Sequence, residues 1–180
     1  MDLRVKRTTK NIKDAFYELR KKKSIDKISV KELSELAMIN KATFYLHYRD
    51  IYELSDKLEN ELIEKIIDDV KGVNFLEGRE EFKYFFETIS SSILCHADKI
   101  KTLFSGYENN HFINRLEDTL KEYIFSAFPT IQNNSTNNII ITFLIQGSYH
   151  TYFRNPSVKP EFLVDSATTL LLKLSETYTF

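Results

Sequence analysis

Between Leu54 and Val70 an apolar residue recurs at every fourth position: Leu54, Leu58, Leu62, Ile66 and Val70. At 3.6 residues per turn this spacing lines one face of a helix, and it does not suit the two-residue period of a strand. Asp50 supplies an N-cap ahead of the run and Gly72 a stop behind it, so a long helix is expected between them. The same three-to-four spacing continues through the rest of the chain, and helix breakers are few, with 4 Gly and 3 Pro in 180 residues. The expected fold class is all-α, with no sheet.

Ahead of the long helix, Ile12, Ala15, Phe16 and Leu19 form one apolar stripe that the polar run Arg20 to Ser24 ends. Ser29 followed by Glu32, just before Leu33, Leu36 and Ala37, has the spacing of a capping box and opens a short second helix. Asn40 caps a third, expected over Lys41 to Tyr48. Two short helices separated by three residues thus stand in line before the long one. Further helices are expected at about Glu80 to His96, Asp98 to Leu103, Phe112 to Phe128, Asn137 to Asn155 and Glu161 to Thr177. Pro129, the Asn-rich loop Gln132 to Asn138, and Pro156 to Pro160 separate the later ones.

Charge divides the chain. Met1 to Arg49 holds 13 basic and 6 acidic residues, a net +7, and the remainder holds 12 and 20, a net −8. A basic module on an acidic body suits a protein of which one end meets phosphates. This predicts a DNA-binding domain at residues 1–50 and a second helical domain at 51–180. No apolar run approaches the roughly 20 residues that span a bilayer, and no secretory apolar stretch opens the chain, so a cytoplasmic protein with no membrane partner is expected. The single cysteine, Cys95, forms no internal disulfide and reads as a buried small apolar residue. His96 with Asp98, and His111 and His150, lack a metal-ligand spacing such as HExxH, and no Gly-rich phosphate loop is present. Neither enzymatic activity nor a catalytic residue, metal or cofactor is expected.

A helix, a capped short helix, a tight turn and a second short helix make the trihelical arrangement that presents a recognition helix to the DNA major groove. The segment ISVKELSELAMINKATFYLHYRDIYEL closely resembles the DNA-binding signature of the TetR/AcrR family, through Thr43, Phe44, Tyr45, Leu46, His47 and Tyr48. The resemblance covers about the first third of the chain and implies a helix-turn-helix transcriptional repressor. Helix geometry places Phe44 and Tyr48 on one face, to be buried, while Lys41, Ala42, Tyr45 and Leu46 project toward the groove. Lys41 can donate to guanine O6 and N7, and Ala42 and Leu46 offer apolar contact to a thymine methyl. The resemblance assigns phosphate contacts to Ser29, Lys31, Thr43, Tyr45 and His47. Thr8 and Thr9 at the start of helix one, with Arg4, Lys6, Arg7 and Lys10 around them, are expected to add backbone or minor-groove contacts. Two positions depart from the family pattern. Met38 stands where the turn normally has Gly, so a positive φ there would cost on the order of 1 kcal/mol. Ile51 stands where a Lys is usual, with Arg49 nearby to take over its phosphate.

In the acidic body, Ile139, Ile140, Ile141, Phe143, Leu144 and Ile145 of one helix, and Phe162, Leu163, Val164, Leu170, Leu171, Leu172 and Leu174 of the next, are apolar on more than one face. They need two partners each, which a homodimer built as a four-helix interface supplies. The segment QGSYHTYFRNPSVKPEFLVDSATTLL loosely resembles the family's dimerisation region, and Gly147 permits close helix approach. A two-fold dimer calls for a near-palindromic operator. The family's logic further implies a small-molecule effector, held in the body among aromatics such as Phe86, Tyr107, Phe112, Phe143 and Tyr149, that shifts helix four and releases DNA. The rival expectation is a DNA-binding protein with no small-molecule ligand, constitutive or governed by a protein partner.

Overall fold

A computed structural model describes residues 3–74, 78–104 and 109–177, leaving aside the side chains of 109–110 and 174–177. Described residues form helices α1 (Leu3–Arg20), α2 (Val30–Leu36), α3 (Lys41–Tyr45), α4 (Ile51–Val70), α5 (Arg79–Cys95), α6 (Ala97–Leu103), α7 (Asn109–Ala127), α8 (Ser135–Arg154) and α9 (Pro160–Thr177), with one 3-10 turn at Ile25–Lys27. The fold is all-α. Helix bounds fall within a few residues of those expected, with two differences near the N-terminus. Helix α1 begins at Leu3, so Thr8 and Thr9 lie in its second turn and not at its start. Helix α3 ends at Tyr45 and not Tyr48, because the amide of His47 donates to the Phe44 carbonyl (2.9 Å), tightening the last turn toward a 3-10 geometry.

The chain divides into two compact units, Met1–Leu62 with Asp98–Asn109, and Ile63–Ala97 with Asn110–Phe180. The first unit buries Ile12, Phe16 and Leu19 of α1, Leu33 of α2, Phe44, Tyr48, and Leu54 and Leu58 of α4, together with Ile100, Leu103 and Phe104 from the later segment. Arg20 ends α1 as expected, and its side chain is buried. Its Nη2 donates to the Leu103 carbonyl at 2.8 Å and its Nη1 to the Lys23 carbonyl at 3.3 Å. The first of these bonds satisfies a carbonyl that the C-terminus of α6 would otherwise leave without a helical donor.

In the second unit α5 and α8 both pack on α9. The Tyr152 hydroxyl donates to Ser90 Oγ at 2.8 Å, in a buried bond between α8 and α5. A polar cluster joins α7 to α8: Glu117 accepts from Lys121 Nζ at 2.6 Å, Thr142 Oγ1 at 2.5 Å and Gln146 Nε2 at 2.8 Å. Burial opposes ionisation of Glu117, yet these three donors together hold its carboxyl below the ordinary value of 4.5. The Asn-rich stretch proves to start a helix: Asn134 Oδ1 accepts from the Asn137 amide at 2.9 Å and caps α8. The apolar first half of α8 is not in the core. Ile139 is 69% and Phe143 65% exposed, and the residues α8 buries are Tyr149 and Tyr152. Cys95, expected to be buried, is exposed. Among the described residues no helix is long and apolar enough to cross a membrane.

Candidate nucleic-acid interface

The stretch from Ser29 to Asp50 is ordered by three N-caps. Ser29 Oγ accepts from the Glu32 amide at 3.2 Å and starts α2. The reciprocal half of the capping box is replaced by a tertiary contact, since the Glu32 carboxylate pairs with Lys23. Asn40 Oδ1 accepts from the Thr43 amide at 2.7 Å and starts α3. Asp50 Oδ1 accepts from the Glu53 amide at 2.8 Å and starts α4, and this bond is the leading reason the Asp50 carboxyl lies below its usual range.

Between α2 and α3 the chain reverses through a Schellman motif. The Ile39 amide donates to the Ser34 carbonyl at 3.0 Å and the Met38 amide to the Glu35 carbonyl at 3.2 Å. That motif needs a left-handed residue after the helix, and Met38 takes the role with φ +56°. The turn keeps the backbone a glycine would adopt and holds a side chain on it, 90% exposed.

On α3 the two faces separate as the spacing requires. Phe44 is wholly buried and Tyr48 nearly so, their rings 5.7 Å apart, while Lys41, Ala42, Tyr45 and Leu46 are exposed. Burial raises the Tyr48 hydroxyl to about 12, with Glu61 and Glu53 adding to it. Ser29 and Lys31 are exposed at the start of α2, and Lys31 and Lys41 form no ion pair among the described residues. The Ser29 hydroxyl proton remains available while its oxygen caps the helix. Thr43 is more committed, since its hydroxyl donates to Asn40 Oδ1 at 2.8 Å. His47 is half-buried with its ring 6.2 Å from that of Tyr48. Arg49 is exposed, its Nε 3.1 Å from Asp50. Ile51 lies in the core, which explains an apolar residue at that position.

Two residues were not singled out in the sequence. Lys57 sits 5.1 Å from the centroid of the Tyr48 ring, pairs with Glu53 at 2.8 Å and donates to the His47 carbonyl at 3.4 Å, tying α4 to the end of α3. The Glu53/Lys57 spacing of four is the signal that marks it. Tyr52, in the first turn of α4, is exposed, and nothing in its spacing distinguishes it.

Four of the aromatics expected to line an effector site, Phe86, Phe112, Phe143 and Tyr149, lie among the described residues. Phe86, Phe112 and Tyr149 are packed into the second unit, Phe112 and Tyr149 with ring centroids 5.9 Å apart. Phe143 is at the surface and lies apart from that group, in a shallow groove with Asn138, Ile139, Thr142, Gln146 and Gly147. Tyr107 lies outside the described residues. A second open groove is lined by Asp69, Tyr84, Glu87, Thr88, Ser91, Ser92 and Cys95, none of them an expected ligand contact. No group of three or more His, Cys, Asp or Glu side chains among the described residues is placed to hold a metal ion. No protein-family model matches the chain, and no curated protein does.

Proposed function

We propose that this chain is a TetR-type transcriptional regulator, a repressor that binds a near-palindromic operator as a homodimer through a helix-turn-helix formed by α2 and α3. One observation carries the reading. The segment bearing the signature residues folds as two capped short helices around a tight turn, burying Phe44 and Tyr48 and leaving Lys41, Ala42 and Tyr45 of α3, and Leu46 at its C-cap, exposed. Phosphates are contacted by Ser29, Lys31, Tyr45, His47 and Arg49, and by Thr43 once its hydroxyl leaves Asn40. The bases are read by Lys41, Ala42 and Leu46. The dimer forms through α8 and α9, whose exposed Ile139, Phe143, Phe162 and Leu170 give an apolar surface for a second copy. At Gly147 a Cβ would meet nothing within 4 Å, so a neighbouring helix can approach closely there.

A second reading, without a small-molecule effector, is supported by the burial of Phe86, Phe112 and Tyr149 in the packed second unit. Footprinting on the DNA upstream of its own coding sequence, at two salt concentrations and with Tyr45→Ala as control, tests the proposal. A protected near-palindrome, weakened by salt and lost in the variant, is expected. Salt-sensitive binding without a footprint indicates a nonspecific DNA-coating protein, and no binding refutes the proposal.

A further inference from the structure

Met38 is the one non-glycine residue with positive φ among the described residues. A side chain on that backbone costs roughly 1 kcal/mol relative to glycine. It returns nothing to the core, because the side chain is 90% exposed. Leu36, Tyr45 and Leu46 are exposed as well, so four large apolar side chains are left at the surface within the stretch 36–46 of a basic module. A strained backbone, an exposed thioether and exposed apolar residues close to it in sequence mark a surface used for contact and not for folding. The flanking cations Lys31, Lys41 and Arg49 select a polyanion as what covers it. The apolar group that the edge of a base pair offers in the DNA major groove is the thymine 5-methyl.

We propose that Met38 is a specificity-determining residue, its side chain packing beside that of Leu46 against thymine methyl groups. The preferred duplex then carries thymine at a position in each half-site facing the α2–α3 turn. This rests on the DNA-binding reading above and adds to it a residue at which glycine would make no such contact.

The full-length protein is used to select duplexes from a random pool. The preferred duplex is then remade with deoxyuridine, which lacks only the methyl group, at each thymine in turn. Burying one methyl against the side chain corresponds to about a fourfold change in affinity. At one position per half-site, wild type is expected to bind the deoxyuridine duplex about fourfold more weakly. Met38→Ala binds both forms alike there, and Met38→Leu restores the preference. An unchanged thermal melting curve for Met38→Ala verifies that the fold is kept. A deoxyuridine penalty equal in wild type and Met38→Ala, or no sensitive thymine at all, overturns the assignment and leaves the DNA-binding reading standing. Failure to enrich any duplex removes both.

Discussion

Replacing Met38 with glycine should make the protein more stable, although it deletes a whole side chain. The left-handed backbone at φ +56° costs an L-residue about 1–2 kcal/mol. Glycine removes that cost but has more freedom to lose on folding, which takes back about 0.5–1 kcal/mol. At 90% exposure the side chain contributes almost no buried area, so its removal is close to neutral. The net expectation is a stabilisation of about 0.5–1 kcal/mol, or about 1–4 °C in the melting midpoint of a chain this size. Urea unfolding followed by far-UV circular dichroism should move to a higher midpoint with an unchanged slope. Met38→Ala keeps the β-carbon and therefore the strain, and should match wild type. If glycine proves no more stable than alanine, the backbone at 38 is not strained and the argument fails.

Two further perturbations probe the two units separately. Arg20→Met leaves the Leu103 carbonyl without its charged donor in a buried place and should cost about 2 kcal/mol in urea unfolding, with Arg20→Lys recovering little because an ammonium lacks the fork that serves two carbonyls. A loss under about 0.5 kcal/mol would show that water replaces the bond. Glu117→Gln should cost about 1 kcal/mol at neutral pH. Because the folded carboxyl titrates below its ordinary 4.5, its contribution is present above that value and is lost as pH falls through the folded one. Variant and wild type should therefore converge in acid, and a gap that persists there would mean that the charge of Glu117 is not what stabilises the cluster.

The helices were legible because their signals are local. The four-residue recurrence from Leu54 to Val70 and the caps at Ser29, Asn40 and Asp50 lie within a turn of what they control. Even the strained turn was visible, as a methionine where the resembled family has glycine. What was not legible depends on tertiary contact. Glu32 turns to Lys23 and not back to Ser29, a choice that only folding brings within reach. Phe143 and Phe112 look alike in sequence, yet one is at the surface and the other in the core, because an apolar residue does not state which of its helix's faces packs inward. Arg20 ends its helix as read, but that its side chain would be buried was not legible, because its acceptor lies on α6.

That the first compact unit takes in Asp98–Asn109 bears on how the chain is made. Ribosomes deliver residues in order, at about 5–20 per second. Ile100, Leu103 and Phe104 therefore reach the exit seconds after α1 to α4 have left it. Until then the nascent first unit lacks part of its core, and Arg20 has no α6 carbonyl to bond. A first unit completed only by Asp98–Asn109 should fold late in synthesis, and a fragment ending after α4 should be less stable than the same unit in the whole chain; if the chain binds DNA as proposed, that binding appears late too.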